Sequence, residues 1–241
     1  MISTIAFIIL IIFTLASNKR RGIMLKKSFD GWVLDLLNLP IQGILIPILQ
    51  TIILYGLFSN FFPQLQGILD LHPIVCFLLN FIVVDYFYYW NHRILHFNGL
   101  WNLHRVHHSA EDMDVFATSR NTLWTSFLIL YVWVNAIMIY LLKDPTFYVV
   151  AAGLSAALDL WKHSNFPASH FLSDKLFIAT PIDHQWHHSN QPNSNFGANL
   201  NLWDKVHGTY RKELEKPSKL GIPTQLPLWK ALLFPFKGKQ T

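Results

Sequence analysis

The sequence predicts an all-α fold, a multi-pass helical membrane protein with about five membrane spans, on three observations. Of its 241 residues 52% are hydrophobic and only 14% charged, against roughly 25% charged in soluble domains. The apolar residues fall into five long stretches, and basic residues flank them. Twelve histidines gather almost wholly in the segments outside those stretches.

The chain is long enough for one domain, expected to cover residues 1–241. Its apolar stretches are Ile2–Ser17, Ile41–Ser59, Pro73–Trp90, Thr122–Leu142 and Thr146–Trp161. A span needs about 20 apolar residues, with about 17 tolerated. The second, third and fourth meet this. The first and fifth are short and would stand nearly upright or thin the bilayer. Pro40, Pro73 and Pro145 sit where a helix can begin without losing a needed N–H, and Pro47 is expected to kink the second stretch. A signal peptide places positive charge before its apolar core. Here Lys19, Arg20 and Arg21 follow the first stretch instead, which reads as an uncleaved anchor with its N-terminus outside.

Alternating from that anchor leaves Asn60–His72 and the Lys143–Pro145 turn outside. Of nineteen Lys and Arg, only Lys143 is then outer, in agreement with the positive-inside rule. The same assignment puts residues 91–121 and 162–241 inside, and with them every histidine except His72. Topology and histidine placement are independent readings, and they agree. The net charge of +5 is accounted for by topology, so it does not argue for nucleic acid. The single cysteine, Cys76, lies in an apolar run, which excludes an intrachain disulfide and a cysteine-based zinc site.

Three clusters carry chemistry: His92-Arg-Ile-Leu-His96, His104-Arg-Val-His107-His108 and His184-Gln-Trp-His187-His188. Positions i, i+3 and i+4 of a helix share a face, so each box is expected to aim its imidazoles at one point. Neutral imidazole suits iron, zinc, copper and nickel. Eight such ligands exceed what one tetrahedral metal needs, so the boxes predict an inner-face di-metal site. A lone histidine at an interface is ordinarily solvated by headgroups, the reading given to His72 and His170. Asp85 shares a helical face with His92 and His96, and Asp159 stands four residues before His163. Carboxylates at these depths are functional candidates and commonly orient metal-bound imidazoles; a packing hydrogen bond is the alternative for each. His163 is expected as a ninth ligand.

With these residues in hand, the sequence resembles the fatty acid hydroxylase superfamily, the sterol desaturase-like membrane di-iron enzymes. The resemblance runs from Asp85-Tyr-Phe-Tyr-Tyr-Trp-Asn-His-Arg to Trp203-Asp-Lys-Val-His-Gly-Thr-Tyr210, its core spanning 85–210. It includes the boxes in order, His163-Ser-Asn, Thr180-Pro and Asn195-Phe-Gly. It implies two non-haem irons, held by the boxed histidines and His163, that activate dioxygen to hydroxylate or desaturate a lipid. Asp85, Asp159 and Asn195 are expected to support the ligands. No catalytic residue beyond the ligands is implied. Arg120 is followed by Asn121 and Thr122 where many bacterial members carry histidine, which is similar to the alkylglycerol monooxygenase-like branch. His207 stands where the family usually has Phe, and is read as a surface residue.

A lipid could lie in a groove between Tyr86–Trp90 and the fourth span, although interfacial aromatics are usually just the belt. No Gly-rich dinucleotide fingerprint occurs, so an external donor is implied, a ferredoxin or small cytochrome with its reductase, which the basic inner face would steer. The membrane is expected to be a bacterial inner membrane or the endoplasmic reticulum, with boxes and C-terminus cytoplasmic. Lys237-Gly-Lys239 matches a dilysine retrieval pattern, too short a match to separate from chance. Two other classes fit the residues less well. A haem-binding electron-transfer subunit wants histidines paired across spans, and a zinc hydrolase commonly uses His-Glu-x-x-His, which is absent.

Overall fold

The computed structural model describes residues 1–190, 193–222, 224 and 226–233; the dilysine-like Lys237-Gly-Lys239 lies outside them. Among the described residues there are helices and isolated bridges but no strand. Helix α1 is Ile2–Ala16 and α2 is Asn18–Leu25, bent from it by 101°. Ser17 makes that elbow by leaving the helical region and accepting the Arg20 N–H as an N-cap.

Helix α3 runs unbroken over Phe29–Phe61, 33 residues, with a mean hydropathy of 1.9 in its most apolar 18-residue window. At 1.5 Å per residue it is about 50 Å long, longer than the ~30 Å hydrocarbon layer. It is thus longer than a crossing requires, and Asp35 and Asn38 in its first turns are buried by protein. Pro40 is inside this helix, not at its start. Between Pro40 and Pro47 lies a π-helical segment, Ile41–Leu45, where the Ile46 N–H reaches back to the Ile41 carbonyl. Ile44, Ile48 and Ile52 are exposed along the apolar half, as a lipid-facing surface would be.

Helix α4, Pro73–Leu95, spans 23 residues and starts on Pro73 as expected. A second π segment, Leu79–Val84, precedes Asp85. The fourth apolar stretch is not one helix. It divides into α5, Leu123–Leu128, and α6, Leu130–Leu141, at an extended Ile129. The Asn91 side chain mends this break, donating to the Leu128 carbonyl at 3.0 Å and accepting the Leu130 N–H at 3.2 Å. Helix α7, Thr146–Lys162, is the centre of the bundle and packs on α1, on α4 and on the helix of the third box.

By length and composition, two helices are able to cross a membrane, α3 and α4, or three if the bent α1–α2 pair counts as one. α6 with 12 residues is apolar but shorter, and α7 has 17 residues with Asp159 and Lys162 in its last turn.

Candidate metal centre

Each histidine-bearing segment is positioned by local rules. His92 lies in the last turn of α4 and His96 caps it. The second box follows a single turn, Trp101–His104, and ends in a 3₁₀ turn at His107–Ser109, anchored by the buried Leu103 and Val106. The third box is helix α8, Pro181–His187, whose start is fixed by Pro181 and a reciprocal cap between Thr180 and Asp183. His163 is the C-cap of α7.

Folding brings all nine predicted histidines into two adjoining groups. One holds His92, His96, His104, His108 and His187; the other holds His107, His163, His184 and His188, with ligand atoms in each group within 4.8 Å of one another. The groups touch where His108 and His188 stack at 4.3 Å. The boxes do not each serve one point, as the sequence suggested. In both His-x-x-His-His boxes the middle histidine crosses to the other group. On a regular helix, positions i+3 and i+4 diverge by about 100°, so one box presents two directions.

Ring orientation is set by backbone carbonyls. His92 Nδ1 donates to Phe196 O at 2.8 Å, His107 Nδ1 to Arg120 O at 2.9 Å, His163 Nδ1 to Asp159 O at 2.8 Å and His187 Nδ1 to Ser194 O at 2.7 Å. A carbonyl can only accept, so each of these rings carries its proton on Nδ1 and presents the Nε2 lone pair inward. His107 Nε2 and His163 Nε2 nevertheless lie 3.1 Å apart. His184 Nε2 is 2.9 Å from His163 Nε2, and His92 Nε2 is 3.0 Å from His104 Nε2. Between His107 and His163 no proton is available to relieve this convergence, because both Nδ1 protons are committed and burial pushes His107 down to about 3 and holds His163 below its ordinary range. His104 and His184, whose Nδ1 atoms have no partner among the described residues, can carry theirs on Nε2. Burial, reinforced by neighbouring imidazoles, likewise depresses His104, His108, His184, His187 and His188.

Lone pairs packed this way fit a cation. Spacings near 3 Å match the edge of an octahedron built on metal–nitrogen bonds of about 2.1 Å. His96 Nε2, His187 Nε2 and both nitrogens of His108 and His188 are buried without a hydrogen-bond partner, a cost of about 1–3 kcal/mol for each such group unless something binds there. The donor set, all imidazole, suits iron as well as zinc, copper or nickel.

The expected carboxylate supports take other positions. Asp85 is buried but touches no imidazole; it accepts the Asn199 and Leu200 amides and the Trp203 indole N–H. Asp159 reaches His163 through its backbone carbonyl, while its carboxylate stands 3.7 Å from Nδ1 and pairs with the buried Lys162 at 3.2 Å. Asn195, at φ 56°, bonds to the carbonyls of Asp183 and Arg211 and to the Arg211 N–H. It thus fixes the loop whose neighbouring carbonyls, Ser194 and Phe196, hold His187 and His92. His207 joins neither group. It is half-buried, stacked on Tyr89 at 5.1 Å, not on the open surface. His72 caps α4 and His170 begins a short exposed helix, both away from the site.

Two supports escaped the sequence reading. Asp204 clamps the carbonyl-bearing loop, accepting the Phe196 N–H at 2.7 Å, the Gly197 N–H at 2.8 Å and the Thr209 hydroxyl at 2.7 Å. Gly197 is required there, since a Cβ would sit 2.2 Å from the Leu200 oxygen. On the other side, Arg120 is held by Asp35, at 2.6 Å and 3.0 Å, and Lys27 bridges Asp35 and Asp114. This buried network fixes the carbonyl that orients His107. Trp203-Asp204 was visible as part of a pattern, but no spacing rule connects Asp35 to Arg120.

The fatty acid hydroxylase model matches residues 77–209. Human alkylglycerol monooxygenase is 31% identical over 143 residues, 56% of this chain and 31% of its own length. The Xenopus tropicalis alkylglycerol monooxygenase is 30% identical over 57% of this chain and 31% of its own. Ornithine lipid hydroxylase OlsE of Rhizobium tropici is 31% identical over 60% of this chain and 44% of its own. The chain thus spans less than half the length of these curated relatives. No solved structure matches. The matched region contains every histidine of the two groups and the loop that orients them, and the chain belongs to the fatty acid hydroxylase family.

Proposed function

We propose that the chain is a membrane-bound di-iron oxygenase that hydroxylates or desaturates a lipid with dioxygen and electrons from an external donor. The observation that carries this reading is the convergence of His107 and His163, whose Nε2 atoms meet at 3.1 Å while both Nδ1 protons are committed to carbonyls. Two such groups in contact support two metals: one held by His92, His96, His104, His108 and His187, the other by His107, His163, His184 and His188. Bound iron would supply the activation of dioxygen. The residues bind and orient: carbonyls fix the tautomers, and the buried rings exclude water from the pair.

The relatives' names, a monooxygenase of alkylglycerols and a hydroxylase of ornithine lipid, support an amphiphilic lipid as substrate. Tyr88 packs on His92 at 5.5 Å and on Tyr131 of α6 at 5.4 Å, which supports approach of an acyl or alkyl chain from that side. Tyr89 and Trp90 face His207 instead. We further read five membrane passes, with α1, α6 and α7 as short spans, one domain over the chain, and the boxes on the cytoplasmic side. The donor is a ferredoxin or small cytochrome with its reductase.

The test is elemental analysis of purified full-length protein together with lipid profiling of expressing cells under ¹⁸O₂. About two irons per chain and an ¹⁸O-labelled or newly unsaturated lipid are expected. One tightly held metal per chain, or a haem spectrum, would overturn the di-iron reading; an unchanged lipid profile from iron-replete protein supplied with electrons would overturn the lipid reaction.

A further inference from the structure

A second feature lies at the α1–α2 elbow. There, Lys19 and Arg20 meet Lys216, which comes from the far end of the sequence, around a cleft of about 270 Å³ completed by Asn165 and Pro167. Among the described residues no carboxylate lines the cleft. Lys216 is bound to the Asn165 side chain. Arg20 lies over the Phe166 ring at 4.2 Å, with its Nε buried and without a hydrogen-bond partner. Burial beside Lys19 and Arg20 pushes the Lys216 amine below its ordinary range. Three cations thus share one cleft, Lys19 and Lys216 exposed at its rim and Arg20 partly buried.

The depth of the cleft indicates what meets that charge. Ile5, Ile8, Ile12 and Phe13 are exposed along α1, the face expected to meet lipid tails. The helix ends at Ala16, so Lys19 and Arg20 stand within a turn of the end of the apolar surface. Lipid phosphates lie just beyond the hydrocarbon, and basic pockets at that level bind anionic headgroups. Positive charge on α2 is already expected from topology, but topology does not require Lys216 to join it.

We propose that this cleft binds the phosphate of an anionic phospholipid headgroup drawn from the bilayer. The ligand chemistry is a phosphate, available from lipid or as the free ion, and placement at the end of α1 favours lipid. The site stands apart from the oxygenase reading and does not depend on it.

The test is native mass spectrometry of the full-length protein released from micelles carrying equal phosphatidylglycerol and phosphatidylcholine. Wild type should retain one phosphatidylglycerol selectively. Each cation is worth roughly fivefold near a charged surface. Lys216→Gln should therefore lose about fivefold and the Lys19→Gln/Lys216→Gln pair about 25-fold, both with unchanged gel-filtration profiles. Lys216→Arg should retain lipid, as should Lys175→Gln, a surface change outside the cleft. Inorganic phosphate equimolar with lipid should leave retention unchanged. Displacement by that phosphate would make the site one for the free ion. Equal retention of both lipids, or full retention in the double variant, would remove the site.

Discussion

Replacing Asp204 by Asn should empty one metal group and spare the other. Asp204 offers Oδ1 to the Phe196 N–H and the Thr209 hydroxyl, and Oδ2 to the Gly197 N–H. An amide keeps one oxygen. Its less costly orientation keeps the two Oδ1 partners and turns an NH₂ toward the Gly197 N–H, donor against donor across what was 2.8 Å. A hydrogen bond to a charged group is worth about 1.5–3 kcal/mol, so the loop should shift to relieve it. That loop supplies the carbonyls that fix His187 and His92, both in the five-histidine group. Loss of such orientation typically costs 10–100-fold in metal affinity, about 1.4–2.8 kcal/mol. The four-histidine group takes its orientation from Arg120 and Asp159, which the loop does not touch. Chelator titration of purified protein, with iron and protein quantified at each step, should show wild type losing metal in a narrow range. Asp204→Asn should lose about one iron per chain at roughly 10–100-fold less chelator and keep the second. Parallel loss of both irons, or an unchanged curve, would refute the argument that the loop orients one group alone.

Four further outcomes follow from the geometry. His107→Ala and His187→Ala, one from each group, should each abolish turnover, and the double variant should be hardly worse, as for residues that act as a unit; activity in both singles would dismiss the shared site. Asp159→Asn should leave iron retention within about tenfold of wild type, because the carbonyl and not the carboxylate binds His163; a larger loss would return the carboxylate to the ligand set. Metal-free protein should lose stability as pH falls below about 6.5, the ordinary histidine value. Folded His107 titrates near 3, so the unfolded chain binds more protons between those values and folding weakens with acid; a melting temperature flat from pH 7 to 5 would contradict this. Finally, cysteines at Gln64, Glu111 and Lys219, all exposed, should label from outside, inside and inside respectively in a Cys76-free background; Glu111 and Lys219 on opposite faces would end the five-pass topology.

The histidines were legible because a ligand set must be written in side chains at helical spacing. Their division between two groups was not, since it depends on the 100° between adjacent positions and on the turn that breaks the second box after His104. The orienting groups at Ser194, Phe196, Arg120 and Asp159 are backbone carbonyls, which any residue carries and no sequence marks. Pro73 began its helix as read, but Pro40 did not, because the helix already starts at Phe29 behind the Ser28 cap. Ile129 carries no breaking signal of its own; the break is stabilised by Asn91, a residue of another helix.

The crossing of His107 and His187 also bears on how the protein matures. The five-histidine group lacks His187, and the four-histidine group lacks His184 and His188, until the third box has left the ribosome. During synthesis the first two boxes therefore present incomplete sets of imidazoles. One short helix completes both groups, so the metal loading proposed above would finish only after α8 has folded. A nascent chain arrested before α8 would present four of the five histidines of one group but only two of the four of the other, so the two groups would be left unequally incomplete.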